Sequence, residues 1–491
     1  MSPELIISLI LAYFGVLIGI SWFTSRNSDS QSFYLGNRQA PWWLVSFGMI
    51  GATLSGITFI SIPGTIGNLD HINGQFSYIQ VIFGYVLGYA VIAFVLIPLY
   101  YRLNLTSIYG YLEQRFGYYA RKTGASFFLS SRIIGASFRL YMVAIVMNEF
   151  IFSAWNIPFW VTVAITILFI WIYTFKSGIK TIIYTDTFQT AFMLASVILT
   201  VIYILKTLDL HSVSDIKTAL NDIGIKQTFF WDNSGRNFYK QFLSGFFLAI
   251  VMTGLDQDMM QKNLACRNVR EAKINIMSLS GAMFFVNILF VIFGGLLYVY
   301  AHSRQIDIPA NRDLLFPTLA LKHFSLAIGI MFILGLIAAA YSSADSALTA
   351  LTTSFVIDIL DFEKKGDNPR LRRWVHLGFS VVLFLVILFF RQIQNDSVIT
   401  QLFLISGLTY GPLLGLFLFG IIFKRTPADI TIPVICVFSA LVSLFLMLAG
   451  EYLFGNKIGF ELLIYNAMIT FASLLLVSFM KDRSQIQTTD N

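Results

Sequence analysis

Residues 339–346 read Ala339-Ala340-Tyr341-Ser342-Ser343-Ala344-Asp345-Ser346, small and hydroxyl-bearing side chains with one carboxylate inside a long apolar stretch. On a helix, Ser342, Asp345, Ser346 and Thr349 fall at spacings of three and four, so their oxygens form one stripe. A charged side chain at the middle of a bilayer is costly, which makes an aspartate there a functional-site signal. Hard oxygens suit a small hard cation, by the ligand logic that governs Ca²⁺ and Mg²⁺. Na⁺ is the expected ion. The competing reading is that Ser and Ala only permit close helix packing, and Asp345 weighs against it.

The chain around this stripe belongs in a membrane. Its 491 residues are 57% hydrophobic and 12% charged, and the mean hydropathy is +0.74; soluble domains carry about 25% charged residues. Apolar runs of about 20 residues recur, each long enough to cross a hydrocarbon core of about 30 Å. Thirteen spans are predicted, near 4–24, 42–66, 76–100, 123–149, 157–175, 181–205, 239–262, 273–301, 323–357, 373–391, 398–422, 428–450 and 459–480. The fold class is therefore an all-α integral membrane bundle. Glu4 rather than a basic residue precedes the first run, which reads as a span and not as a signal peptide. Cys266 and Cys436 are too differently placed to suggest a disulfide. The polar tail from Asp482 to Asn491 is expected to be disordered.

A formal charge of +7 does not require nucleic acid. With the N-terminus outside and the C-terminus cytoplasmic, 21 Lys and Arg fall in cytoplasmic segments and 10 in external ones. The clusters Arg115/Arg121/Lys122, Lys262/Arg267/Arg270/Lys273 and Lys364/Lys365/Arg370/Arg372/Arg373 all lie inside. That is the positive-inside pattern of a multi-pass protein of the plasma (inner) membrane. No glycine-rich phosphate loop ending in Gly-Lys-Ser/Thr occurs, so direct ATP drive is not expected. No paired His/Asp constellation suggests an enzyme, and no output domain suggests a sensor.

Two spans carry interruptions. Gly51-Ala52-Thr53-Leu54-Ser55-Gly56 lies near the middle of the second, and Met252-Thr253-Gly254-Leu255-Asp256-Gln257-Asp258 lies in the seventh. Broken helices survive at membrane depth only where freed backbone groups line a cavity or bind a ligand. A pair five spans apart and oppositely directed is the trace of an inverted repeat. Glycines placed merely for packing are the plainer alternative.

These segments resemble the sodium/solute symporter family, which includes glucose, proline, sialic acid, iodide and monocarboxylate carriers. The resemblance covers residues 1–480 and rests on Ser46 to Pro63, Thr185-Asp186-x-x-Gln189, Asp256-Gln257-x-x-x-Gln261-Lys262 and the Ala339 to Ser346 stripe. It implies a LeuT-type fold with two inverted five-helix repeats, 42–206 and 239–422. Segments 1–41 and 423–491 flank them, and an external loop, 207–238, joins them. It implies a Na⁺ site made by the carbonyls of Gly51, Leu54 and Ala339 with the hydroxyls of Ser342 and Ser343. It further implies a candidate second Na⁺ or H⁺ site at Asp186, Ser342, Asp345 and Ser346. Asp345 departs from the serine of members with that site, and Ser177-Gly178 departs from the usual Gly-Gly before the Thr-Asp helix. Asp186 itself falls near the predicted cytoplasmic end of its span, where a water-facing position is the alternative.

Arg132 and Arg139 are the substrate clue. Seven residues apart on a helix, they face one way at about 10 Å along the axis. Buried arginine favours bidentate carboxylate or phosphate partners, here an anionic solute or an internal acid such as Glu149. In sugar carriers Ser-Ala-Glu-Gln follows the break, whereas this chain has Ser55-Gly56-Ile57-Thr58, which weighs against a neutral hexose. The expected pocket is Thr53, Ser55 and Thr58 with Gln75, Phe76 and Gln80. The expected activity is Na⁺-coupled import of a small, anionic organic solute, such as a sialic acid or other carboxylate, by alternating access. The expected functional unit is a monomer in the lipid bilayer. Proton coupling on the same fold, or a neutral sugar or polyol, is the alternative.

Overall fold

Without water in the bilayer core, each segment must satisfy its backbone internally, and long apolar runs do so as helices. The computed structural model of the protein describes residues 3–24, 30–69, 74–150, 152–174, 178–232, 234–362, 368–393, 398–454 and 458–489. No strand occurs among these residues, where the one β-bridge joins Ala40 to Cys266.

The apolar helices follow the predicted spans. They are α1 Pro3–Thr24, α2 Trp42–Thr65, α3 Tyr78–Arg102, α4 Tyr118–Phe150, α5 Phe159–Thr174, α6 Gly178–Thr207 and α7 in two pieces, Phe238–Gly254 and Gln257–Leu264. After them come α8 Val269–Ser303, α9 Leu326–Ile359, α10 Pro369–Ile393, α11 Val398–Ile422, α12 Ile432–Phe454 and α13 Leu462–Thr489. Ten of them hold stretches long and apolar enough to span alone; α2 and α7 qualify as bent pairs, and α5 is a shorter apolar helix.

The bends fall where the glycine-rich interruptions stand in the sequence. Helix α2 turns by 54° between Leu54 and Thr58, and α7 by 62° between Gly254 and Gln257. In α7 the cause is local. A π-turn over Ile250–Gly254 ends the first piece, and Asp256 restarts the helix by accepting the amides of Asp258 (2.9 Å) and Met259 (3.3 Å). A side-chain oxygen on first-turn amides is the usual way a helix start is paid for in hydrogen bonds.

Helix α2 packs against α6, α8 and α9, and α9 against α6. The polar connections hold short capped helices. Ser212 and Asp215 form a capping box on Val213–Asp222, and Asn311 caps the turn Arg312–Leu314. Both cysteines are buried free thiols. The tail expected to be disordered instead continues α13 to Thr489; Lys481, Arg483, Gln485 and Gln487 are good helix formers on an already nucleated helix.

Candidate cation and solute site

The oxygen stripe of α9 lies wholly inside the protein. Ser342, Ser343, Asp345, Ser346 and Thr349 are each at most 1% exposed, and Ala339 and Leu54 are equally buried. Among the described residues the Ser343 and Thr349 hydroxyls have no hydrogen-bond partner. Such a buried group forfeits about 1–3 kcal/mol.

Helix α6 joins this stripe to the bend in α2. The Gly51 amide donates to Thr190 Oγ1 at 3.0 Å, and a Cβ on Gly51 would sit 2.2 Å from that oxygen. Only glycine permits this approach. One turn earlier, a Cβ on Gly48 would lie 3.1 Å from Cβ of Asp186. Thr190 was not among the expected site residues, although it follows Asp186 by one helical turn. Thr53 is half-buried and donates to the Met49 carbonyl of its own helix at 2.7 Å. Thr58 is half-buried, and the Ser55 side chain lies outside what the structure describes.

Asp186 is fully buried rather than water-facing. Ser342 Oγ donates to its Oδ1 at 2.6 Å, and Ser346 Oγ to its Oδ2 at 3.4 Å. Lys262 Nζ, from the second piece of α7, donates to Oδ2 at 2.6 Å. Asp345 accepts the Tyr173 hydroxyl at 3.0 Å and the Ser346 amide at 2.6 Å. The four residues expected at a second cation site therefore gather as one network. Lys262 is an addition that its place in a basic cluster at a helix end had disguised.

The α7 break uses its freed groups internally. Tyr100 donates to the Gly254 carbonyl at 2.9 Å and Tyr109 to that of Leu255 at 3.0 Å. Tyr410 donates to Asp256. Arg132 pairs closely with Asp258 and lies 3.6 Å from Asp256, so its acids come from this break and not from Glu149, which is exposed. Removing one partner of a buried ion pair costs about 3–5 kcal/mol. Asp258→Asn is accordingly expected to lower stability by about 3 kcal/mol, read as a clear fall in Tm in detergent. An unchanged Tm would mean that Asp256 alone holds Arg132.

Arg139, two turns further along α4, is buried with Nε and Nη1 free of partners among the described residues. The two glutamines expected in the pocket are engaged elsewhere. Gln75 Oε1 accepts the amides of Lys226 (3.2 Å) and Gln227 (3.0 Å). Gln80 accepts the Phe230 amide at 3.0 Å and donates to the Arg236 carbonyl at 2.9 Å. Both tie backbone groups of Lys226, Gln227, Phe230 and Arg236 to the start of α3, so their amides are already engaged by the protein. Phe76 is half-buried beside them.

The sequence profile of the Sodium:solute symporter family matches residues 33–429. The chain belongs to this family. Its relatives include the sodium/sialic acid symporter NanT of Aliivibrio fischeri, 26% identical over 433 residues, covering 86% of this chain and 83% of that protein. The sodium/sialic acid symporter SiaT of Proteus mirabilis is 26% identical over 457 residues, covering 91% and 88%. Human sodium-coupled monocarboxylate transporter 1 is 24% identical over 412 residues, covering 80% and 64%. A solved substrate-bound, outward-open Na⁺-coupled sialic acid symporter superposes with a TM-score of 0.81 at 22% identity, over 97% of this chain and 98% of that one. The nucleobase-cation symporter Mhp1 in a closed, ligand-bound form reaches 0.56 at 14%, over 94% and 96%. The fold is thus the expected LeuT type. The symporter is a Na⁺-coupled solute carrier and not an enzyme.

Proposed function

We propose that this symporter imports a small organic anion, a sialic acid or another carboxylate, together with Na⁺. Arg139 carries the reading. A guanidinium buried in a bundle, with two of its nitrogens lacking a hydrogen-bond partner among the described residues, is suited to charge-assisted hydrogen bonds from an anion. The named relatives that move sialic acids and monocarboxylates support the same class.

Na⁺ would be held by the carbonyls of Gly51 and Leu54 at the bend of α2, the Ala339 carbonyl, and the hydroxyls of Ser342 and Ser343. Thr53, Ser55, Thr58 and Phe76 would line the solute path with Arg139. Residues 42–206 and 239–422 would be the two inverted repeats, and their relative rocking would give alternating access. The basic clusters support an inner-membrane orientation with the N-terminus outside and the C-terminus cytoplasmic. A single chain in the bilayer holds every group named, so a monomer suffices.

The test is uptake by proteoliposomes of the full chain, with sialic acid, short monocarboxylates and a neutral hexose, under inward Na⁺ or choline gradients. Na⁺-dependent uptake of an acid and none of the hexose is expected. Uptake of the hexose alone would reject the anion. Charge-assisted hydrogen bonds contribute about 1.5–3 kcal/mol each. Arg139→Ala should therefore weaken acid binding by about 100-fold or more, at about 1.4 kcal/mol per tenfold, with Na⁺ binding kept. Unchanged acid affinity would remove Arg139 from the site.

A further inference from the structure

A cation already stands in the Asp186 pocket, and it belongs to the protein. Lys262 is 1% exposed, and its ammonium lies 2.6 Å from Asp186 Oδ2, the carboxylate that sequence reading had offered to a second Na⁺. Its other acidic neighbour, Asp258, is at 3.9 Å and is engaged by Arg132. With Ser342 on one oxygen and Lys262 and Ser346 on the other, Asp186 accepts from three donors.

We infer that the Lys262 ammonium is a tethered cation filling the Asp186 pocket, so that this chain binds one Na⁺, at Ser343, and none at Asp186. The inference rests on the reading of Ser343 as a Na⁺ ligand. A Na⁺ at Asp186 would bring a second cation to a buried carboxylate already paired with the Lys262 ammonium, where an uncompensated ion is costly. It would also have to displace a buried ammonium that has nowhere better to go. Ser342 links the two places: its proton points to Asp186, which leaves its lone pairs for the ion. One Na⁺ moving with one monoanion carries no net charge, so the membrane potential would not drive this transport.

The experiment is equilibrium binding of ²²Na⁺ to the purified full chain in lipid nanodiscs, with choline chloride holding the ionic strength. The wild type should bind one Na⁺ per chain without cooperativity. Lys262→Gln should bind two, and Lys262→Gln with Asp186→Asn should return to one. Adding Ser343→Ala should abolish the wild-type ion but spare the one gained by Lys262→Gln. Two ions on the wild type, or still one on folded Lys262→Gln, would overturn the inference. If Lys262→Gln does not fold, Lys262→Met, which keeps the length of the side chain and Asp186, takes its place: two ions support the tether and one overturns it. No Na⁺ on the wild type with one on Lys262→Gln would sink the Ser343 assignment while supporting the tethered cation.

Discussion

Ser343→Ala should raise the Na⁺ concentration for half-maximal uptake by about 10- to 100-fold while leaving the fold intact. The range follows from losing one ion–dipole ligand, by analogy with the about 1.5–3 kcal/mol of a hydrogen bond to a charged group. Ser343 is the cleanest position for the test because its hydroxyl has no partner among the described residues, so alanine breaks nothing inside the protein. Ser342→Ala would not separate the effects, since that hydroxyl also holds Asp186 at 2.6 Å. The functional stake is large. For a neutral solute, one Na⁺ crossing 100 mV supplies about 2.3 kcal/mol, and a tenfold gradient adds about 1.4 kcal/mol. For a monoanion carried with one Na⁺ only the gradient counts, and weak Na⁺ binding slows coupled uptake at any given Na⁺ concentration. Uptake against Na⁺ concentration, paired with Tm, checks both halves. Unchanged Na⁺ activation would refute the ligand assignment.

What could be read beforehand depended on how local its physics was. Span positions came from runs of apolar residues, and both bends from glycine and hydroxyl clusters, because each is set within one helix. The stripe from Ser342 to Ser346 was legible for the same reason, since a helix fixes which side chains share a face. Partnerships across the fold were not. Lys262 sits 76 residues from Asp186, and in sequence it is one basic residue among several at a helix end, where charge reads as topology. Arg132 called for an acid, but the choice of Asp258 over Glu149 depends on how α4 meets the broken α7. Gln75 and Gln80 looked like solute ligands because an amide that binds backbone and one that binds solute have the same chemistry. Asp186 was hard to place because a shift of a few residues in a span boundary moves it between water and core.

Gly84→Ala should be among the most damaging glycine substitutions at the described positions, with an expected cost above about 3 kcal/mol or loss of folded protein. A Cβ on Gly84 of α3 would lie 2.1 Å from the Phe242 carbonyl oxygen and 2.6 Å from the Phe246 amide nitrogen of α7. The reverse contact is as close, with a Cβ on Gly245 falling 2.2 Å from the Val81 carbonyl oxygen. These neighbours are backbone, which cannot swing aside like a side chain, so the helices must separate. Overpacking in a relaxed core typically costs about 1–3 kcal/mol and occasionally more; a helix seam built on small residues has less room to yield. The seam also serves the site. It anchors the first piece of α7 just before the π-turn, and the second piece carries Asp256, Asp258 and Lys262 to their partners. Gly281→Ala in α8 is the control, with no atom within 4 Å of the added carbon and an expected gain of about 0.5–1 kcal/mol from helix propensity. Thermal unfolding of both variants in one detergent measures the difference. Equal Tm values would mean that α3 and α7 do not meet backbone to backbone.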